Sequence, residues 1–161
     1  YRGGFEIKQG QDYVLITFNF GHYYRMIPTD GRPRDIGDGV KLWMGNSRGS
    51  WEGDTLVVDV SSLSAKNWLD QGGNFFSDNV RLIEQFRLAD ANTIDYQVTI
   101  DDPTVFTRPW TIRLPFRRAS TAANDLYADE MWEHACHEGN ESIEHMRDLG
   151  FKWFTGVVPP N

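Results

Sequence analysis

The stretch Trp110-Thr111-Ile112-Arg113-Leu114-Pro115-Phe116-Arg117 places its Trp, Ile, Leu and Phe at every second position. Side chains of a β-strand point alternately to its two faces, so these apolar side chains share one face. The other face carries mostly polar side chains. The stretch therefore predicts a strand with one buried face, and the number of times that this pattern recurs decides the fold class.

The same alternation recurs through most of the chain. Thr93–Ile100 alternates equally well, and Val80–Arg87 does so less regularly. The Asp/Asn-containing turn at Ala89–Asn92 joins these two strands as a hairpin. Further strands are predicted at Phe5–Gln9, Tyr13–Phe20, His22–Thr29, Gly49–Glu52, Thr55–Val60 and Asp129–Cys136.

Eight or nine short strands with brief turns are typical of a sandwich or an up-and-down barrel. We expect a mainly β protein, an antiparallel calycin- or lipocalin-like β-barrel of about eight strands. A single domain spans residues 1–161. One C-terminal helix is predicted over Glu141–Asp148, with Asn140 as its cap and Gly150 as its end.

Composition limits the partners that this chain can bind. The aromatic content of 14% suits a packed interior or an aromatic-lined cavity, and long loops at Thr29–Asn46 and Ser61–Asn79 suit its rim. A net charge of −7, with no basic run beyond Arg117-Arg118, argues against nucleic acid and anionic membranes. No apolar run reaches the roughly 20 residues that membrane insertion needs. Nucleotide-binding and other cofactor motifs are lacking, so no cofactor is expected, and no signal peptide is recognisable.

One short segment near the C-terminus gathers the single cysteine with histidines and carboxylates. Cys136 and His137 are adjacent, so on a strand they face opposite ways and do not form a thiol–imidazole pair. Cys136 alone is expected to be a small buried side chain. His137 beside Glu138 is either a general acid/base or a hydrogen-bonded structural histidine. His134 and His137 are three residues apart on a strand end, which is a weak metal signal, and no metal site is predicted.

Two adjacent carboxylates form a second candidate site. Asp101 and Asp102 precede a proline and are followed by Arg108 and Trp110. Paired carboxylates can divide acid and base roles when their environments differ. Aspartates at a strand end also bond local backbone amides in ordinary turns, and Arg108 can pair with one of them. Both interpretations stay open.

Two further polar groups lie at strand ends. Trp51 and Glu52 precede the Gly53-Asp54 turn, either as a binding site or as a hairpin with Trp51 in the core. Arg25 follows Tyr24, and a partly buried arginine there needs a carboxylate partner or an anionic ligand. We name Glu52, Asp101 and Glu138 as the candidate partners.

The phrases WEGDTLVVD (Trp51–Asp59), TIDDP with FTRPW (Thr99–Trp110) and CHEGN (Cys136–Asn140) occur in this order. In these phrases the chain resembles a large family of uncharacterised, mostly exported bacterial proteins, over nearly its whole length. The resemblance implies an exported or periplasmic protein. It also implies a further N-terminal segment that often carries a cysteine, which would make Cys136 normally disulfide-bonded. Family members have Tyr or another residue in place of His134, which favours His137 and Glu138 as site residues.

Three functional hypotheses follow. The first is an enzyme without a cofactor that applies general acid/base chemistry, as an isomerase, cyclase, lyase or hydrolase, to a small, largely apolar organic substrate. The second is a non-catalytic small-ligand-binding barrel, and the third a structural or assembly domain. The expected partner is a small molecule, and a homo-oligomer is also compatible with the sequence. In the first hypothesis the catalytic residues are His137, Glu138, Asp101 and Asp102, and the substrate-binding residues are Arg25, Tyr24, Trp51, Glu52, Arg108 and Trp110.

Overall fold

The computed structural model describes residues 4–19, 21, 23–37, 39–119, 139 and 141–150. These residues form a mainly β structure with one short helix. The elements are β1 Phe5–Gln9, β2 Tyr13–Phe18, β3 Tyr24–Pro28, β4 Asn46–Glu52, β5 Thr55–Ser61, β6 Arg81–Asp90, β7 Thr93–Asp101, β8 Trp110–Arg117 and α1 Ser142–Asp148.

The strands form two antiparallel sheets in which each strand pairs with the next one along the chain. The first sheet has the order β1-β2-β3 and the second the order β4-β5-β6-β7-β8. Within the described residues neither sheet is closed by hydrogen bonds, because β1, β3, β4 and β8 are all edge strands. The prediction of an antiparallel, mainly β fold is confirmed.

Both sheets contribute to a single hydrophobic core. Alternate positions of each strand point inward, as in β2, where Val14 and Ile16 are buried, and in β5, where Val58 and Val60 are buried. Each such side chain contributes about 1.5–3 kcal/mol relative to an exposed position. The buried hydrophobic residues are Val14, Ile16, Ile27, Leu56, Val58, Val60, Leu63, Phe76, Val80, Val98 and Ile100.

The two sheets approach each other along two seams. At one seam β3 runs beside β4 without ladder pairing. Gly49 permits this approach, because a Cβ there would lie 2.9 Å from Ile27 Cγ2 and 3.0 Å from Thr29 Cγ2. At the other seam the ring of Phe5 in β1 meets that of Phe116 in β8 edge to face, with centroids 5.0 Å apart.

A row of aromatic rings crosses this second seam. Phe18 lies 6.1 Å from Phe5, and Phe116 stacks on Tyr96 at 4.7 Å. Tyr96 in turn lies 4.8 Å from Phe86. The row therefore links β2 and β1 to β8, β7 and β6, so the sheets are joined by side chains where the backbone does not pair.

The edge strand β8 carries Pro115 opposite Asp95 of β7. Proline has no backbone N–H and is tolerated in sheets at edges. Arg113 and Arg117, which flank it on the same strand, are exposed. This edge therefore lacks the backbone N–H donor of residue 115 and carries two positively charged side chains.

The sequence-based element boundaries differ from the structure mainly at strand ends. β1 and β8 have the predicted bounds, whereas β4 begins earlier, at Asn46, and β6 extends to Asp90. The helix begins after Glu141, without a side-chain cap, so the prediction of Asn140 as cap is wrong. The predicted strand Asp129–Cys136 lies outside the described residues. No helix in the described ranges is both long and apolar enough to cross a bilayer.

The β4–β5 hairpin confirms the predicted turn but not the predicted burial of Trp51. Glu52 pairs with Thr55 across Gly53-Asp54, and Gly53 has the positive φ of 64° that a tight two-residue hairpin needs at its first central position. Trp51 is 47% exposed, so its placement in the core is wrong. The physical reason is that β4 is an edge strand: burial falls along it from Asn46 to the exposed Trp51, although Leu56 opposite Trp51 is buried.

The close approach at Gly49 generates a stability prediction. Gly49→Ala adds a Cβ against Ile27 and Thr29, and we expect this overpacking to lower the free energy of unfolding by about 1–3 kcal/mol. Urea denaturation measures the change. Gly37→Ala is the matched control, because a Cβ there meets nothing within 4 Å. Equal stability of the two variants would contradict the tight β3–β4 seam.

Candidate functional site

A cluster of four polar side chains lies between the two sheets. Arg25 in β3 donates from Nη1 to Glu84 Oε1 in β6 at 2.9 Å, and its Nη2 contacts Glu84 Oε2. Its Nε donates to Ser47 Oγ in β4 at 2.9 Å. Tyr96 in β7 donates its hydroxyl proton to Glu84 Oε1 at 2.8 Å. We call these four residues the interior cluster.

The interior cluster is internally satisfied and excluded from solvent. The side chains of Arg25 and Glu84 are only 12% and 6% exposed, and the guanidinium and carboxylate meet with two parallel contacts. Burial, together with the charge of Glu84 and the hydrogen bond to it, raises the pKa of Tyr96 well above its ordinary value. Tyr96 is therefore a neutral donor at physiological pH and does not serve as a base. The cluster ties β3 to β6 and β7.

The partial burial predicted for Arg25 is confirmed, but its carboxylate partner is Glu84. Glu52 is exposed at the hairpin tip and Asp101 is exposed at the end of β7. The third candidate, Glu138, lies outside the described residues. A signal for Glu84 was present in β6, where it shares a face with Leu82 and Phe86, so a carboxylate interrupts an otherwise apolar face.

Asp102 forms a second buried polar site, at the end of β7. The residue is 1% exposed, and its carboxylate accepts from Ser77 N at 2.6 Å and from Ser77 Oγ at 2.8 Å. Thr104 N donates to Oδ1 at 3.1 Å. Its backbone carbonyl accepts from Val105 N and Phe106 N. Asp102 thus joins the loop before β6 to the loop before β8.

These hydrogen bonds determine the ionisation of Asp102. Burial alone raises the pKa of this carboxyl, but the hydrogen bonds from Ser77, Thr104 and Val105 outweigh it and hold the pKa below its ordinary value. An anion that is fully occupied by donors does not accept a proton from a substrate near neutral pH. The contacts therefore favour the turn interpretation of this aspartate. Asp101, its neighbour, is exposed.

The loop that Asp102 fixes forms one wall of a surface cleft of about 320 Å³. Phe106 and Trp110 meet edge to face at 5.5 Å on this wall. The indole Nε1 of Trp110 is buried and has no hydrogen-bond partner in the described part of the chain. The described residues that line the cleft are Leu69, Asp70, Asn74, Phe75, Val105, Phe106 and Trp110.

We call this surface cleft the aromatic cleft. Its opposite wall is a turn in which Asp70 accepts the hydrogen bonds. Its Oδ1 accepts from Gly72 N at 2.8 Å and Asn74 N at 3.2 Å, and its Oδ2 accepts from Asn74 Nδ2 at 2.7 Å. The Asn74 side chain contributes most to a pKa for Asp70 below the ordinary value. A backbone bridge between Trp68 and Phe75 closes the turn. Asp70 is therefore an anion at neutral pH.

The structure separates the residues that the sequence suggested as one site. Trp110 lies in the aromatic cleft and Arg25 in the interior cluster. Tyr24, Trp51, Glu52 and Arg108 are exposed and are not part of either site. His137 and Glu138 lie outside the described residues, so their roles stay predictions. Among the described residues no three His, Cys, Asp or Glu side chains are grouped as metal ligands would be.

The interior cluster generates a prediction about paired charges. Glu84→Gln leaves the Arg25 guanidinium buried without a counter-charge, and we expect it to lower the free energy of unfolding by about 3–5 kcal/mol. The double variant Arg25→Met with Glu84→Leu removes both charges and should recover most of that loss.

Urea denaturation of both variants checks this prediction. The control is Arg87→Met, which breaks the half-exposed pair with Asp95 and should cost no more than about 1 kcal/mol. A double variant as unstable as Glu84→Gln would show that the instability does not come from an unpaired charge.

Asp102 generates a prediction about acid stability. Because its pKa is lower in the folded than in the unfolded protein, its carboxylate stabilises the fold above about pH 4, the ordinary Asp value. This stabilisation is lost as the pH falls through the folded pKa. We therefore expect Asp102→Asn to destabilise the protein by about 1–3 kcal/mol at pH 7, with a smaller difference at low pH.

Urea denaturation from neutral to strongly acidic pH measures that difference. Asp101→Asn is the control, since this neighbour is exposed and should change stability by less than about 0.5 kcal/mol. A difference between the native protein and Asp102→Asn that stays constant with pH would contradict the ionised, hydrogen-bonded state.

Likeness to known proteins adds nothing to this geometry. No protein-family model matches the chain, and no curated protein or solved structure does either. Function is therefore inferred from the contacts, burial and charge of the two sites.

Proposed function

We propose that this domain binds a small, largely apolar organic molecule in the aromatic cleft. The observation that carries the proposal is a concave site with aromatic and aliphatic walls, in which the rings of Phe106 and Trp110 meet edge to face. Ligand sites of small molecules are concave, mostly apolar and supplied with a few polar groups that fix orientation. The cleft volume of about 320 Å³ lies at the lower end of their usual range.

The framework behind the cleft favours a preformed site. Asp102 holds the Val105–Trp110 side through its side chain and its backbone carbonyl. Asp70 holds the other side through the turn to Asn74. A ligand therefore loses little affinity to the ordering of loops, which is otherwise a large cost of association.

A calycin-like barrel remains part of the proposal. The strand order follows the chain, β3 runs beside β4, and Phe5 of β1 contacts Phe116 of β8. In an up-and-down barrel each strand likewise lies beside the next one along the chain, and the last lies beside the first. The two seams that side chains join here support such an arrangement. The interior cluster fills part of the space between the sheets, which supports a ligand site in the cleft at the surface.

Binding is favoured over acid/base catalysis by the state of the described ionisable groups. The Asp102 carboxylate is occupied by donors, the Tyr96 hydroxyl stays protonated, and Arg25 is neutralised by Glu84. The enzyme hypothesis stays a prediction that depends on His137 and Glu138. A measured turnover that His137→Ala abolishes would support it.

Nuclear magnetic resonance of the 15N-labelled protein tests the binding proposal. A panel of small aromatic and alicyclic compounds, including indole, phenol and cyclohexanol, is titrated into the protein. We expect at least one compound to shift the indole N–H resonance of Trp110 together with amide resonances of residues 69–75 and 105–106, in a saturable way.

Trp110→Phe assigns the indole resonance and replaces one aromatic wall by a smaller ring. The lost apolar contact should weaken the ligand by about 2–10-fold. Trp51→Phe, at the exposed hairpin tip, is the control and should leave affinity unchanged. A panel that shifts no resonance of the cleft would contradict the proposal.

A further inference from the structure

We infer that the ligand of the aromatic cleft is a small organic cation, an ammonium compound. This inference rests on the proposed binding function and names the class of molecule bound. Two features of the cleft lead to it: an uncompensated anion and exposed aromatic rings.

The anion is Asp70. All of its described donors are neutral, namely the amides of Gly72 and Asn74 and the side-chain amide of Asn74. None of the ion pairs in the described part of the chain includes Asp70, although Asp30, Asp59 and Asp95 are all paired with arginine. A cation in the cleft would therefore meet a negative charge that no described cation neutralises.

The rings of Phe75, Phe106 and Trp110 supply the second feature. Phe75 is 62% exposed although it is large and apolar. The faces of aromatic rings attract cations through their quadrupole, and Trp does so most strongly. Aromatic walls beside one carboxylate are the arrangement that binds quaternary and primary ammonium groups.

An anionic ligand is disfavoured in this cleft, because Asp70 and the net charge of −7 of the chain would repel it.

A metal ion is a poorer occupant than an organic cation. Among the described lining residues Asp70 alone is a carboxylate, and its oxygens already accept three hydrogen bonds. Calcium requires six to eight oxygen ligands. The rest of the lining is aliphatic or aromatic apart from Asn74.

Choline and 3,3-dimethylbutan-1-ol test the inference, because the alcohol replaces the ammonium nitrogen of choline by carbon at nearly the same size. Both are titrated into the 15N-labelled protein, and the dissociation constants are obtained from the cleft resonances. We expect choline to bind about fivefold more tightly, because a cation–π contact with exposed rings and one exposed carboxylate each add a modest attraction. Raising salt from about 20 mM to about 500 mM should weaken choline alone.

Asp70→Asn separates charge from shape, since asparagine can still accept hydrogen bonds from the turn. We expect the variant to bind choline more weakly than the native protein does, while its affinity for the alcohol is unchanged. Asp90→Asn is the matched control, because Asp90 accepts the Asn92 amide in a turn of the same kind away from the cleft. It should leave both affinities unchanged.

The other outcomes overturn the inference, and they distinguish it from the proposed function. Equal affinities for choline and the alcohol, or an equal loss of both in Asp70→Asn, overturn the cation inference and leave cleft binding intact. Cleft shifts with indole or phenol but with neither of these probes do the same. No cleft shift with any compound overturns the binding function and the inference together.

Discussion

The ion pair between Arg25 and Glu84 is the interaction on which the arrangement of the two sheets depends. A buried guanidinium or carboxylate without its partner would strongly destabilise the protein. The pair therefore favours the placement of the sheets that brings β3 opposite β6. Ser47 and Tyr96 use the remaining donor and acceptor capacity and fix the angle of approach. Apolar contacts in the core stabilise the fold but are not directional. The hydrogen bonds of the interior cluster are directional and favour one placement of the strands.

The sequence predicted the strands well because alternation is a local property of each strand. It predicted Arg25 as partly buried because Tyr24 and Met26 flank it, although these two neighbours are exposed in the structure. It did not predict Glu84 as partner, because alternation shows which face a residue occupies and not which strand lies opposite. Trp51 shows a related limit of sequence-based prediction. The hairpin turn beside it was predicted, but not that the residues of β4 next to this turn are exposed.

The sequence did not predict the aromatic cleft, and the reason is a different one. Its walls come from the Asp70–Asn74 turn and the Val105–Trp110 loop, which have no periodicity and are brought together by a third residue, Asp102. The sequence drew attention to Asp102 and Trp110 and left a catalytic and a turn interpretation of Asp102 open. In the structure the hydrogen bonds of Asp102 join two loops, which favours the turn interpretation.

The edge strand β8 has a consequence for the behaviour of this protein in concentrated solution. A regular edge would expose a row of donors and acceptors on which a second chain could add a strand and begin aggregation. Pro115 removes one donor from that row, and the neighbouring Arg113 and Arg117 repel an identical edge. A chain with so many exposed aromatic side chains elsewhere is thereby protected against intermolecular β-pairing at one of its four described edge strands.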